Sequence, residues 1–354
     1  MTALKNMPIS FPGLFGSWEF NPDPIAVHVG HGIYWYGIIL ACAMLAGLLL
    51  CMKQAPKYGL TQDNVLDLVL WAVPCCILGS RIYYVIFYLD LYRTVGGGLD
   101  WAGMLRIWDG GLAIYGTVIA GVLVAFFYTR HKKLRFGAMT DLAVMGLLLG
   151  QSIGRWANFI NREAFGGLTD LPWRMRLWVS EVQYIEVHPT FFYESMWNLA
   201  GLLLILLVVS KGRRFDGENT WFYFLWYGLG RAWVEGLRTD SLYLFDWTLF
   251  GEPVRVSQAL SVVMAAVAAF MLFYNIRVKK RTADGLLVNQ LAARAAAEAG
   301  ETARAADTEP AAGEMAAEDE TDAETAAGEA AETAENEAPA QAAKEKEALD
   351  GRTD

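Results

Sequence analysis

The sequence predicts an all-α fold: a polytopic membrane protein with seven transmembrane helices, a small outer-facing element and a disordered acidic C-terminal tail. Three observations carry this expectation. The chain has 354 residues, is 55% hydrophobic and has a mean hydropathy of +0.27. Its apolar residues fall in blocks close to the roughly 20 residues that cross a bilayer. Basic residues gather in every second connection between those blocks, and the excess acid sits at one end. Residues 283–354 hold 19 acidic and 5 basic side chains, whereas residues 1–282 hold 19 acidic and 24 basic ones. The formal net charge of −9 therefore describes the tail and says little about what the body binds.

Taken in order, residues 1–31 form an outer N-terminal segment. It contains Pro8, Pro12, Pro22 and Pro24 and no apolar core, so no cleavable signal peptide is expected. The membrane domain is expected over 32–281, with spans at 32–52, 65–89, 110–130, 137–160, 190–210, 219–237 and 256–276. The segments KQAPK (53–57), RHKKLR (130–135), KGRR (211–214) and RVKKR (277–281) hold 13 of the 24 basic residues of the body. Positive charge stays inside, so the odd-numbered spans end in the cytoplasm, with the N-terminus outside and the C-terminus inside.

The longest outer connection, 161–188, contains Pro172, Trp173, Trp178 and the alternating run EVQYIEV. It reads as a small folded outer element with a little β structure. The glycine-rich connection TVGGGLDWAG (94–103) reads as mobile. The tail, 282–354, is rich in Ala and Glu but has no apolar stripe to bury, so disorder is expected. Cys42, Cys51, Cys75 and Cys76 lie in or beside apolar runs without metal-ligand spacing. They read as packing residues, and neither a metal nor a disulfide framework is expected.

Polar residues at membrane depth cost free energy unless they pair or face a cavity. They cluster here, above all in GQSIGRWANFINREAFGG (150–167), where an apolar helix runs into Arg155, Asn158, Asn161 and Glu163. Further clusters surround Tyr36, Arg81, Asp109 and His188. On the sixth span, Tyr227, Arg231 and Glu235 recur every four residues and share one helix face, with Arg238 following. Aromatic residues such as Tyr34, Tyr84 and Trp108 read as interfacial anchors. Arg155 and Arg231 read as functional. Guanidinium groups bind phosphate through paired hydrogen bonds, and Asn and Tyr add neutral bonds to ester or hydroxyl oxygens. An outer-facing cavity lined in this way suits an anionic phospholipid.

The stretch GRWANFINREAFGG (154–167) closely resembles the signature of the bacterial prolipoprotein diacylglyceryl transferases, G-R-x-G/A-N-F-x-N-x-E-x-x-G. YWYG (34–37), GSRIYYV (79–85), WDGGLAIYG (108–116), HPTFFYE (188–194), YGLGRAWVEGLRTD (227–240) and SQALS (257–261) are similar to the same family and occur in its order. One departure stands out: Asp109 occupies a position where some members have a histidine proposed as a base. Either Asp109 substitutes for it, or that position is not the essential base.

The resemblance implies a multi-pass enzyme of the bacterial inner membrane. It would move the diacylglyceryl group of phosphatidylglycerol to the lipobox cysteine of a prolipoprotein signal peptide, releasing glycerol phosphate. Arg155 and Arg231 would hold the phosphate, with Arg81 or Arg238 assisting. Asn158, Asn161, Tyr36 and Tyr227 would position the headgroup and ester oxygens, with Gly166 and His188 also at the substrate. Glu163 and Glu235 would orient arginines rather than act as bases. The expected partners are these substrates and membrane lipids, with no cofactor, no metal and no nucleic acid. A phosphatidylglycerol-dependent headgroup transferase and a lipid or solute transporter stay open as alternatives.

Overall fold

The computed structural model describes residues 7–29, 32–94, 97–180, 182–238, 243–249 and 252–307. The chain divides into two units, Met1–Ala296 and Ala297–Asp354. The first unit contains seven long helices: α1 Trp35–Gln54, α2 Gln62–Phe87, α3 Ile114–His131, α4 Phe136–Asn161, α5 Thr190–Leu204, α6 Glu218–Leu237 and α7 Val256–Phe273. Helix α5 continues through a π-helical turn, Ile205–Val209.

Six of these helices are long and apolar enough to cross a membrane. The remaining one, α6, occupies the expected place of the sixth span but is less apolar. It carries Glu218, Asn219, Arg231 and Glu235, and of these Glu218, Asn219 and Glu235 are buried. Large apolar side chains point outward on the others, among them Leu70, Trp71, Val118, Val263 and Phe270. Such a surface would be unstable in water and is what a lipid-facing helix presents.

Helix α4 is the centre of the bundle. Ala138, Leu142, Met145 and Leu148 recur at helical spacing and are at most 1% exposed. Helix α4 packs against α1, α5 and α6, while α2 packs on α3 and α6 on α7. Helices α5 and α6 are locked by a reciprocal pair. Trp197 Nε1 donates to the Trp226 carbonyl at 2.9 Å, and Trp226 Nε1 donates to the Trp197 carbonyl at 2.8 Å. The indoles stack with centroids 4.3 Å apart. Gly201 and Gly230 make room for them, since a Cβ at either glycine would lie within 2.5 Å of the opposing indole.

The 161–188 connection takes part in more strand than alternation predicts. Strands β1 Ile9–Ser10 and β2 Glu19–Phe20 come from the N-terminal segment. Strands β5 Met175–Trp178 and β6 Tyr184–Val187 come from the 161–188 connection. Together they form one antiparallel sheet in the order β2-β1-β5-β6. Two short hairpins, β3 Ile25–Val27 with β4 Ile33–Tyr34 and β7 Tyr243–Leu249 with β8 Glu252–Arg255, complete the strands. Buried Arg162 joins the N-terminal segment to the end of α4. Its guanidinium donates to the carbonyls of Met7, Ile160 and Pro22 and to Asn21 Oδ1, at 2.7–3.0 Å. In the connection 94–103, Val95 and Gly96 lie outside the described residues. Its remainder is held by an Arg93–Leu99 bridge and by Asp100, which caps the short helix Trp101–Leu105.

The expectation of disorder from residue 282 onward is corrected at its start. Residues Leu287–Asp307 form helix α8. Leu286 is 5% exposed, the Leu287 N–H donates to Asp216 Oδ2 at 2.9 Å, and Gln290 accepts from Arg135. Buried Leu286, partly buried Leu287 and a few polar contacts anchor this segment, and a search for an apolar stripe cannot find them. Residues 308–354 lie outside the described residues.

Candidate active site

Antiparallel packing brings three helix ends together. The C-terminal turns of α4 carry Arg155, Asn158 and Asn161; the first turns of α5 carry Glu194; the second half of α6 carries Tyr227, Arg231 and Glu235, with Arg238 as its C-cap. Glu194, 7% exposed, is the hub. Its Oε2 forms a direct ion pair with Arg155, and its Oε1 lies 3.8 Å from Arg231 Nη1 and 4.0 Å from Arg238 Nη1. Arg231 Nη2 also lies 2.6 Å from Glu235 Oε2, as the i,i+4 spacing implies. This contact is an ion pair rather than a directed hydrogen bond, because Glu235 Oε2 has no well-aligned donor. The Glu235 and Arg238 carbonyls both accept from Arg255, which fixes the end of α6.

The signature stretch folds into a compact turn. Arg162, at φ 53°, ends α4, and the Glu163 N–H returns to the Asn158 carbonyl at 3.0 Å. Glu163 Oε1 then accepts from Asn158 Nδ2 at 2.9 Å and from Asn161 Nδ2 at 3.4 Å, while Asn158 Oδ1 faces Arg155 Nη1 at 3.5 Å. Glu163 is exposed, and its carboxylate bridges the two asparagines.

Gly166 is buried where these elements meet. It donates to the His188 carbonyl at 3.0 Å and bridges to Arg238, and Gly167 donates to the Leu237 carbonyl at 2.7 Å. A Cβ on Gly166 would come 2.7 Å from the His188 Cβ and 3.0 Å from the Leu237 oxygen. The glycine thus permits close approach of backbones and offers no side chain to a substrate. His188 Nδ1 faces the Tyr193 hydroxyl at 3.4 Å, and that hydroxyl accepts from Trp173 Nε1 at 2.7 Å. Tyr227 is half-buried and stacks on Tyr223, whose hydroxyl accepts from Gln151 Nε2 at 2.9 Å.

Three of the expected site residues lie apart from the arginine cluster. Arg81 is not placed to hold a phosphate. It is 6% exposed, and its five N–H groups meet five backbone carbonyls: Gly103, Met104, Arg106, Gly110 and Gly111, at 2.5–3.0 Å. Its donor capacity is filled, and it organises the connection that carries Asp109. Asp109 itself is exposed, with its carboxylate 3.4 Å from Arg106 Nε. Tyr36 is 37% exposed on the first turn of α1. Among the described residues, neither Asp109 nor Tyr36 joins the arginine cluster.

Glu194 and Gln151 were absent from the expected site. Glu194 had a legible signal, a lone carboxylate inside the apolar run TFFYESMWNLAGLLL. Gln151 lies one turn before Arg155 on the same face of α4, and its Oε1 is buried without a partner.

The family model for prolipoprotein diacylglyceryl transferase matches residues 24–274. Among relatives bearing the name phosphatidylglycerol–prolipoprotein diacylglyceryl transferase, that of Lysinibacillus sphaericus is 38% identical over 278 residues, covering 76% of this chain and 97% of the relative. That of Clostridioides difficile is 39% identical over 234 residues, covering 66% and 87%. One from Streptococcus pneumoniae is 40% identical over 262 residues, covering 73% and 95%.

Proposed function

The chain belongs to the prolipoprotein diacylglyceryl transferase family, and from that premise we propose how its arginine cluster carries the reaction. The chain is a transferase of lipoprotein maturation that moves the diacylglyceryl group of phosphatidylglycerol to a prolipoprotein cysteine. A sulfur–carbon bond forms at the glyceryl carbon next to the phosphate, and the carbon–oxygen bond to that phosphate breaks. Thiolate is the competent nucleophile, so the thiol gives up its proton, which balances the charge gained by the departing phosphate or passes to water. Glycerol phosphate leaves with the electron pair of the broken bond.

The observation that carries the mechanism is the convergence of Arg155, Arg231 and Arg238 on Glu194. Three guanidinium groups gathered in one place suit the phosphodiester of the lipid. As the bond breaks, charge grows on the phosphate oxygens, and fixed guanidinium groups stabilise that growth without reorganising. Arg155 and Arg231 hold the phosphate, and Arg238 assists. Asn158 and Asn161, aimed by Glu163, and Tyr227 position the headgroup and ester oxygens. Glu194 and Glu235 are positioning residues that keep the like-charged arginines together before the lipid arrives. The nucleophilic cysteine belongs to the lipobox of the substrate signal peptide.

The protein is a multi-pass membrane protein. The basic segments support an orientation in the bacterial inner membrane with the N-terminus and the arginine cluster outside, the C-terminus inside, and α6 as a further span. The direct test is diacylglyceryl transfer to a lipobox peptide by purified protein. Near-normal transfer by Arg155→Gln, at matched stability, would overturn the mechanism.

A further inference from the structure

Three basic segments that are far apart in sequence converge at the end of the bundle opposite the arginine cluster. They line a cavity of about 620 Å³ with Arg135, Arg214, Lys280 and Arg281, above the aromatic walls of Phe136 and Phe215. Arg135 and Arg155 lie at opposite ends of α4, 20 residues apart, which is about 30 Å of helix. The cavity is therefore separate from the site proposed for transfer.

The charge within it is unbalanced. Asp216 is the carboxylate in the lining, and its Oδ2 is engaged by Arg135 Nη1 at 3.1 Å and by the Leu287 N–H at 2.9 Å. Neighbouring Asp284 accepts from Thr282 Oγ1 at 3.1 Å. Arg135 is further occupied by the Gly285 carbonyl and by Gln290. The Arg214 backbone N–H donates to Glu218 Oε2 at 2.6 Å, but the side chains of Arg214, Lys280 and Arg281 form no ion pair among the described residues. Arg281 lies over the Phe215 ring at 5.5 Å, a contact that leaves the N–H edges of its guanidinium available. The chain also accepts a strained backbone here: Lys280 has φ 46°, in the left-handed region that side chains other than glycine rarely adopt. That turn directs Lys280 and Arg281 back toward the segments carrying Arg135 and Arg214.

We propose that this cavity is a second binding site, for a phosphate-bearing anion. A phosphate group presents several acceptor oxygens to the two guanidinium forks and the ammonium, and an apolar stem can lie against Phe136 and Phe215. The headgroup of an anionic phospholipid meets both requirements, and basic pockets between membrane helices favour such headgroups. A free phosphate monoester shares the charged part of that chemistry. Binding there would tie together the start of α4, the start of α6 and the segment after α7.

The test uses the full chain in phosphatidylcholine nanodiscs and counts retained phosphatidylserine by native mass spectrometry. Phosphatidylserine lacks the glycerol headgroup of the transfer donor, so it separates this cavity from the outer cluster. A parallel arm titrates inorganic phosphate and reads the thermal transition. The wild-type chain should retain the lipid at least about tenfold better than R214Q/K280Q/R281Q, with retention falling as salt rises. The charge-preserving R214K/K280R/R281K should keep most of it. Diacylglyceryl transfer reports folding, because none of these side chains belongs to the transfer site. If R214Q/K280Q/R281Q does not fold, the single variant R281Q takes its place in the comparison. Stabilisation by inorganic phosphate, lost in the neutral variant and without lipid retention, would support the site and identify its ligand as a soluble anion. Equal lipid retention by wild-type and neutral variants, together with no response to phosphate, would overturn the proposal.

Discussion

Arg155 and Glu194, carried by consecutive long helices, form a direct ion pair at the centre of the arginine cluster. The pair joins the C-terminal turns of α4 to the first turns of α5, and the same carboxylate faces Arg231 on α6. One acidic side chain thus sets the spacing of the cations proposed to meet the phosphate. Removing it should act on turnover before it acts on folding. Glu194→Gln keeps the shape of the side chain but removes its charge. The arginines then repel without a counterion, and kcat should fall at least about tenfold. Glu194→Ala should also lower stability by about 1–3 kcal/mol. That is less than a fully buried broken pair costs, since the Arg155 side chain keeps 23% of its surface exposed. Transfer kinetics and thermal unfolding of the two variants check this, and wild-type turnover by Glu194→Gln would remove Glu194 from any positioning role.

Arg155 should tolerate no replacement. Its planar fork can hold Glu194 and a phosphate oxygen at once, and a lysine ammonium cannot reproduce that geometry. Arg155→Lys should insert and fold but lose most activity. Arg155→Gln should lose about 2.7–4 kcal/mol of transition-state stabilisation, or roughly a hundred- to thousandfold in rate. Single-turnover transfer to a lipobox peptide separates this loss from slower product release.

Much of this arrangement was legible in the sequence. The helix positions follow from apolar blocks, and the Arg231–Glu235 pair follows from spacing along one helix. What spacing cannot supply is the partner of a side chain on another helix. Arg81 looked like a phosphate ligand because a buried arginine needs acceptors; here those acceptors are five carbonyls of the 103–111 connection, which no side-chain pattern encodes. Glu194 is visible in the sequence only as a member of the weak polar cluster at His188, since its importance lies in three arginines contributed by other helices. The sheet was half legible: alternation marks β6, but the two-residue strands β1 and β2 are too short to alternate.

Gly166→Ala should destabilise the chain without touching a charged group. The new methyl would meet the His188 Cβ and the Leu237 oxygen, both fixed by backbone hydrogen bonds. Overpacking of this kind costs about 1–3 kcal/mol. Its readout should be a lower thermal midpoint together with reduced transfer, because the bridge to Arg238 would open. An unchanged midpoint would mean that the contact gives way easily.

The four-stranded sheet should weaken in acid. Glu186 on β6 accepts from Arg176 at 2.7 and 3.0 Å and from Arg174 at 2.7 Å. The hydrogen bonds from Arg176, then the bonds and charge of Arg174, hold its carboxyl below the usual glutamate value. A depressed folded-state pKa contributes stability above the unfolded value, near 4.5, that is lost as pH falls through the folded one. Protease resistance of the β5–β6 hairpin should therefore decline below about pH 4. Glu186→Gln should be weaker at neutral pH and lose that dependence.

Truncation separates the two parts of the acidic end. Residues 308–354 hold most of its charge and follow α8. A chain ending at Asp307 should keep transfer activity and thermal midpoint close to those of the full chain. A chain ending at Thr282 should not. It loses buried Leu286, the Leu287 N–H bonded to Asp216, and Gln290 bonded to Arg135. Asp216 Oδ1 already lacks a partner, so losing a donor to Oδ2 leaves a largely buried carboxylate with Arg135 alone. Burial of Leu286 is worth about 1.5–3 kcal/mol and each lost hydrogen bond about 1 kcal/mol, so the midpoint should drop by several degrees. Transfer measured below that midpoint should survive, because the lost contacts lie at the end of α4 opposite Arg155. Equal midpoints for the two truncations would show that residues 283–307 add nothing to the bundle.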